Sequence, residues 1–109
     1  METIIVPGIL GLMITGIGIV NMTGNISTLH WYHRSHVKEE DRLPFGRMIG
    51  KGTIIIGLTL IANACFEYAA ARSGNASPST IGGIILIAGL ALGSVLIIWA
   101  LFKYNKGIF

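Results

Sequence analysis

Three stretches of this chain run almost without a charge, and one short segment between the first two holds most of the charge there is. The first stretch extends from Thr3 to about Met22 and carries none. The second, Gly52 to Ala71, has a single ionisable acid, Glu67. The third, Thr80 to Phe102, again has none. A bilayer core takes about 20 mostly apolar residues per helix, so the pattern predicts three membrane-spanning helices. Eight of the 13 formal charges fall between Arg34 and Lys51, which excludes a fourth span there.

The elements predicted are a helix over 3–24, a loop over 30–51, a helix over 43–71 whose first turns lie outside the bilayer, a short loop over 72–79, a helix over 80–103 and a tail over 104–109. Asp41 is placed to cap the second helix, and Pro44 is tolerated in its first turn. Ser79 or Thr80 is the expected cap of the third. The first stretch lacks the basic leader and small-residue cleavage site of a signal peptide and is expected to be retained.

Direction follows from the basic residues, which stay on the cytoplasmic side. The first loop and the tail contain Arg34, Lys38, Arg42, Arg47, Lys51, Lys103 and Lys106; the opposite side has Arg72 alone. The expectation is a multi-pass protein of the cell membrane, N-terminus out and C-terminus in.

Composition agrees. The 109 residues are 52% hydrophobic and 12% charged, about half the usual charged fraction. That excludes a nucleic-acid binder, a disulfide scaffold and a disordered chain. The pI near 9.4 comes from loops beside apolar spans and points to lipid head groups.

Fifteen glycines are about twice the usual share, and they are spaced along helix faces. Gly8, Gly11, Thr15, Gly18 and Asn25 form one stripe, Gly46, Gly50, Thr53, Gly57 and Ala64 a second, and Gly82, Gly89, Gly93 and Ala100 a third. In lipid, close backbone approach at small residues brings helices together. The fold expected is therefore an all-α, integral membrane bundle packed through Gly11, Gly18, Gly50, Gly57, Gly82, Gly89 and Gly93. Alternatively, Gly89-x-x-x-Gly93 serves a homo-oligomer. A bundle so tight has no lumen, and any conduction path would lie between subunits.

Thr59, Asn63 and Glu67 stand four apart and form a polar line on the second helix. It is either a proton- or cation-binding line or, more simply, an interfacial acid within reach of Ser79 or Thr80 plus a helix–helix hydrogen bond from Asn63. His30, His33 and His36, with Trp31 and Tyr32 among them, read as wetted residues of an interfacial aromatic belt. The alternatives are a metal site, although no cysteine accompanies them and on a helix His36 turns away from the other two, and a pH-sensitive cytoplasmic patch. Cys65 alone in a span reads as a small hydrophobe. No catalytic constellation, metal site or cofactor is indicated. The loop carrying His30, His33, His36, Glu40, Asp41, Arg42 and Arg47 is either a solvated surface whose alternating charges compensate one another or a contact surface. Its partner would be a cytoplasmic or membrane protein or, through Arg42, Arg47 and Lys51, anionic lipid.

The run Ser27-x-x-His30-x-Tyr32-His33-Arg34, then Val37-Lys38-x-Glu40-Asp41, then Phe45-Gly46-Arg47 leading to Gly50-x-Gly52-Thr53-x-Ile55-x-Gly57, resembles small bacterial and archaeal membrane proteins of unknown function. The likeness covers about a third of the chain, residues 25–60; those families bring no established activity, so it implies a three-helix architecture of bacterial or archaeal origin and nothing catalytic. Small multidrug transporters are similar in size, but have four spans and an essential acid in the first, which is absent here. The reading is of a non-enzymatic membrane protein acting through self-association or as an accessory subunit of a membrane or cytoplasmic partner. The alternative is an oligomeric channel or transporter for a proton or small cation.

Overall fold

The computed structural model describes residues 2–26, 29 and 37–107 and is all-helical among them. Three helices are long and apolar enough to cross a membrane: α1 (Glu2–Met22), α2 (Arg42–Ser73) and α3 (Ser77–Tyr104). A 3-10 turn at Glu39–Asp41 leads into α2. At ~1.5 Å per residue the 32 residues of α2 span about 48 Å, matching the 52 Å long axis of the molecule.

The helix ends follow local chemistry. Beyond α1, Gly24 adopts φ 93°, a left-handed conformation that costs glycine little. Asp41 occupies the N-cap position of α2, as expected, but makes no side-chain capping bond. Pro44 falls in the first turn, where its missing N–H would be unpaired in any case. Gly74, at φ 69°, closes α2 by donating to the Ala70 carbonyl. The third helix starts at Ser77, after Ala76, earlier than the expected cap at Ser79 or Thr80. Proline is favoured in a first helical turn, so Pro78 opens α3 where the sequence reading placed a loop.

The middle helix is the spine. α1 and α3 each pack along α2, antiparallel to it, and hardly touch one another among the described residues. At the end where α1 stops and α2 begins, here the loop end, Ile26, Phe45, Ile49, Ala100 and Leu101 form the buried core, with Leu29, Val37, Met48, Ile97 and Tyr104 against it. Phe45 is wholly buried and meets Tyr104 edge-on at 6.0 Å between ring centres. Elsewhere large apolar side chains such as Leu12, Ile84, Ile87 and Val95 point outward.

Candidate functional site

Two seams run along α2. On the α1 side the close approaches are backbone to backbone. A Cβ on Gly11 would lie 2.7 Å from the Gly57 carbonyl oxygen, and one on Gly57 2.8 Å from that of Gly11. Gly18 and Gly50 are paired in the same reciprocal way, at 3.0 and 2.6 Å. Seven residues are two helical turns less about 20°, so residues 11 and 18, and 50 and 57, stay on one line. Thr15 packs its hydroxyl against Gly57; that oxygen is buried and has no hydrogen-bond partner among the described residues.

The α3 seam has the same character. Gly52 and Gly93 face each other's carbonyls at 2.7 and 2.6 Å. Gly89 seats the Thr59 side chain, and Gly82 seats Phe66 and the Asn63 amide. Both Gly89 and Gly93 are thus buried within one chain, and their small-residue pair is already occupied by α2. Gly52 lies outside the stripe read from the sequence because α2 has two packing sides. Gly16 and Gly83, in neither stripe, have open space around them.

The polar line Thr59, Asn63, Glu67 faces α3 through its whole length. Thr59 Oγ1 donates back to the Ile56 carbonyl at 2.8 Å. Ser79 Oγ donates to Glu67 Oε1 at 2.5 Å, one of the two partners anticipated. The short α2–α3 connection brings them together: residues 67 and 79 sit at nearly equal height on either side of it. The helix–helix hydrogen bond expected from Asn63 is not formed. Its Nδ2 lies 3.4 Å from where a Cβ of Gly82 would stand, and a glycine in the second turn of α3 offers no side chain, while its carbonyl is engaged in the helix. Asn63 is half-buried and has no hydrogen-bond partner among the described residues.

Two further asparagines carry structure that the sequence reading missed. Asn21 and Asn105 are both fully buried at the loop end. Asn21 Nδ2 donates to the Asn25 carbonyl at 2.9 Å, and Asn105 Nδ2 to the Gly107 carbonyl at 3.0 Å, so each fastens the chain where a helix ends. Their only signal in the sequence is a polar residue at the last turn of an apolar helix.

In the candidate contact loop, Glu40, Arg42 and Arg47 are exposed and Asp41 is half-buried. His30, His33 and His36 lie outside the described residues. Cys65 is exposed on α2. Among the described residues no cluster of three or more histidine, cysteine or acidic side chains could hold a metal.

No protein-family model matches this chain, and neither a curated protein nor a solved structure matches it significantly.

Proposed function

We propose that the chain is a non-enzymatic integral membrane protein, N-terminus outside and C-terminus inside the cell membrane, that acts through helix–helix association in the bilayer. Association is with a second copy, and the same surface serves an accessory role beside a larger partner. The observation that carries this reading is Asn63, which lies at the edge of the α2–α3 seam and is only half-buried there, so that its amide is within reach of a further helix laid beside the seam. It sits near the middle of an apolar helix, about 15 Å from Ser73 at ~1.5 Å per residue, with its amide unfilled. In hydrocarbon no water satisfies such a group, and asparagine between helices is a recognised adhesive, worth ~0.6–2 kcal/mol per bond.

The rest of the chain supports association over conduction. The glycine contacts of both seams bring backbones within van der Waals reach, which supports a glycine-packed bundle with no passage along either seam. Glu67, the one acid in a span, is engaged by Ser79. The loop over 30–51 is the surface offered to a cytoplasmic partner, with Glu40, Asp41 and Arg42 at its α2 end.

The test is partner capture by crosslinking in native membranes, with wild type, Asn63→Val and the reversal Glu40→Lys/Asp41→Lys/Arg42→Glu. The reading expects Asn63→Val to lose the bilayer contact and the reversal to lose the cytoplasmic one. Retention of every crosslink by both variants would refute it. Orientation is checked separately: Asn75→Cys should react with an impermeant maleimide from outside, and Lys106→Cys only after permeabilisation.

A further inference from the structure

With α1 and α3 on two sides of α2, a third side of that helix stays uncovered. Positions 47, 51, 58, 65, 69 and 72 follow one another at steps of three, four and seven residues, so they share a face. All six are exposed. The face is uniform in its middle, with Leu58, Cys65 and Ala69, and changes at the loop end to Arg47 and Lys51. These two cations are one turn apart, and among the described residues neither has an ion-pair or hydrogen-bond partner. The acids Glu39, Glu40 and Asp41 belong to the turn preceding α2, farther from the apolar stretch than either cation.

We infer that Arg47 and Lys51 on the uncovered face of α2 form a binding site for the phosphate of an anionic phospholipid, whose acyl chain lies along Leu58, Cys65 and Ala69. The inference rests on the membrane reading proposed above. Charge complementarity selects the occupant. Two cations without a partner among the described residues, about 6 Å apart along the axis, stand where the mostly apolar run 52–71 ends, which is the depth of the phosphate layer. A zwitterionic head group brings its own cation to the same place and gains less. Guanidinium and ammonium groups on long stems reach such a layer while their methylenes stay in hydrocarbon. A second copy docked here in parallel would set Arg47, Lys51 and Arg72 against their own counterparts, so lipid is favoured over self-association on this face.

The test is native mass spectrometry of the full chain in detergent, titrated separately with palmitoyl-oleoyl phosphatidylglycerol and the matching phosphatidylcholine. Wild type should retain phosphatidylglycerol preferentially. Either Arg47→Gln or Lys51→Gln should weaken retention roughly fivefold, the usual worth of one cation at an anionic surface, and the double variant about 25-fold. Arg72→Gln and Lys106→Gln should retain the wild-type preference, and circular dichroism establishes that each variant is helical. No preference in wild type, or an unchanged preference in the double variant, overturns the inference. So does efficient oxidation to a Cys65–Cys65 dimer in phosphatidylglycerol vesicles, since that would mean a second copy covers the face. Flotation with liposomes separates the two readings: a chain that does not float refutes the membrane reading, whereas one that floats without lipid preference refutes this inference alone.

Discussion

Replacing Gly89 by alanine adds one methyl group, and the α3 seam has no room for it. The new Cβ would fall on the Thr59 side chain, 2.7 Å from its Cβ and 2.8 Å from Oγ1. Ordinary contact begins at 3.4 Å, so the Thr59 Cβ alone must retreat by about 0.7 Å (3.4 less 2.7). Thr59 cannot turn aside cheaply, because β-branched side chains in helices are stiff and its hydroxyl is held by the Ile56 carbonyl. The helices must part instead. A gap of 0.5–1 Å forfeits a quarter to a half of each dispersion contact, and the Gly52–Gly93 approach beside it opens too. Overpacking of this kind costs about 1–3 kcal/mol. The helix propensity gained on replacing glycine, up to ~1 kcal/mol, offsets part of that cost. The net expectation is a loss of about 1–2 kcal/mol in reversible unfolding from mixed micelles. Gly16→Ala and Gly83→Ala, which meet nothing within 4 Å, should be neutral or stabilising. Thr59→Ala should rescue Gly89→Ala, with a coupling near 1 kcal/mol. Equal stability of Gly89→Ala and Gly83→Ala, or no rescue, would refute the reasoning.

Other outcomes follow from the same contacts. Ser79→Ala removes the donor to Glu67 and should cost about 0.5–1.5 kcal/mol in the same unfolding assay; Glu67→Gln, which can still accept, should cost less. Phe45→Ala empties the centre of the loop-end core and should cost about 3–5 kcal/mol, enough to give rapid proteolysis near the α1–α2 connection. Thr15→Val is nearly isosteric and deletes a buried hydroxyl that has no hydrogen-bond partner among the described residues. It should be neutral or stabilising, and a loss above 1 kcal/mol would mean that the hydroxyl is bonded in the bilayer.

The three helices were legible because their apolar runs are long and the charges collect between them. Their boundaries were less so. The turn at Ser77–Pro78 looks like a loop by composition, yet proline in a first helical turn is preorganised for a helix, and α3 begins three residues early. The stripe over Gly46, Gly50, Gly57 and Ala64 was readable from spacing alone. Its partner was not, since periodicity says which positions share a face and nothing about which helix comes to it. Gly52 escaped for that reason: it belongs to a second face of a helix with two neighbours. The Glu67–Ser79 bond was foreseeable because a short connection leaves the two residues level. Phe45 was hidden by its charged surroundings, where an aromatic residue reads as loop and not as core. Spacing puts Asn63 on one line with Thr59 and Glu67 but does not say which helix that line meets; the hydrogen bond expected of it depended on finding an acceptor, and Gly82 supplies none.

The most direct test of the account is a count of copies. Wild type and Asn63→Val, each labelled at a single site, are placed in lipid nanodiscs or vesicles at low protein-to-lipid ratio, and photobleaching steps are counted for single particles. Association through the unfilled amide predicts more than one copy per particle for wild type and a shift to single copies for Asn63→Val, with Glu67→Gln remaining like wild type. A wild type that bleaches in single steps throughout, or an Asn63→Val variant that associates as well as wild type, would contradict it.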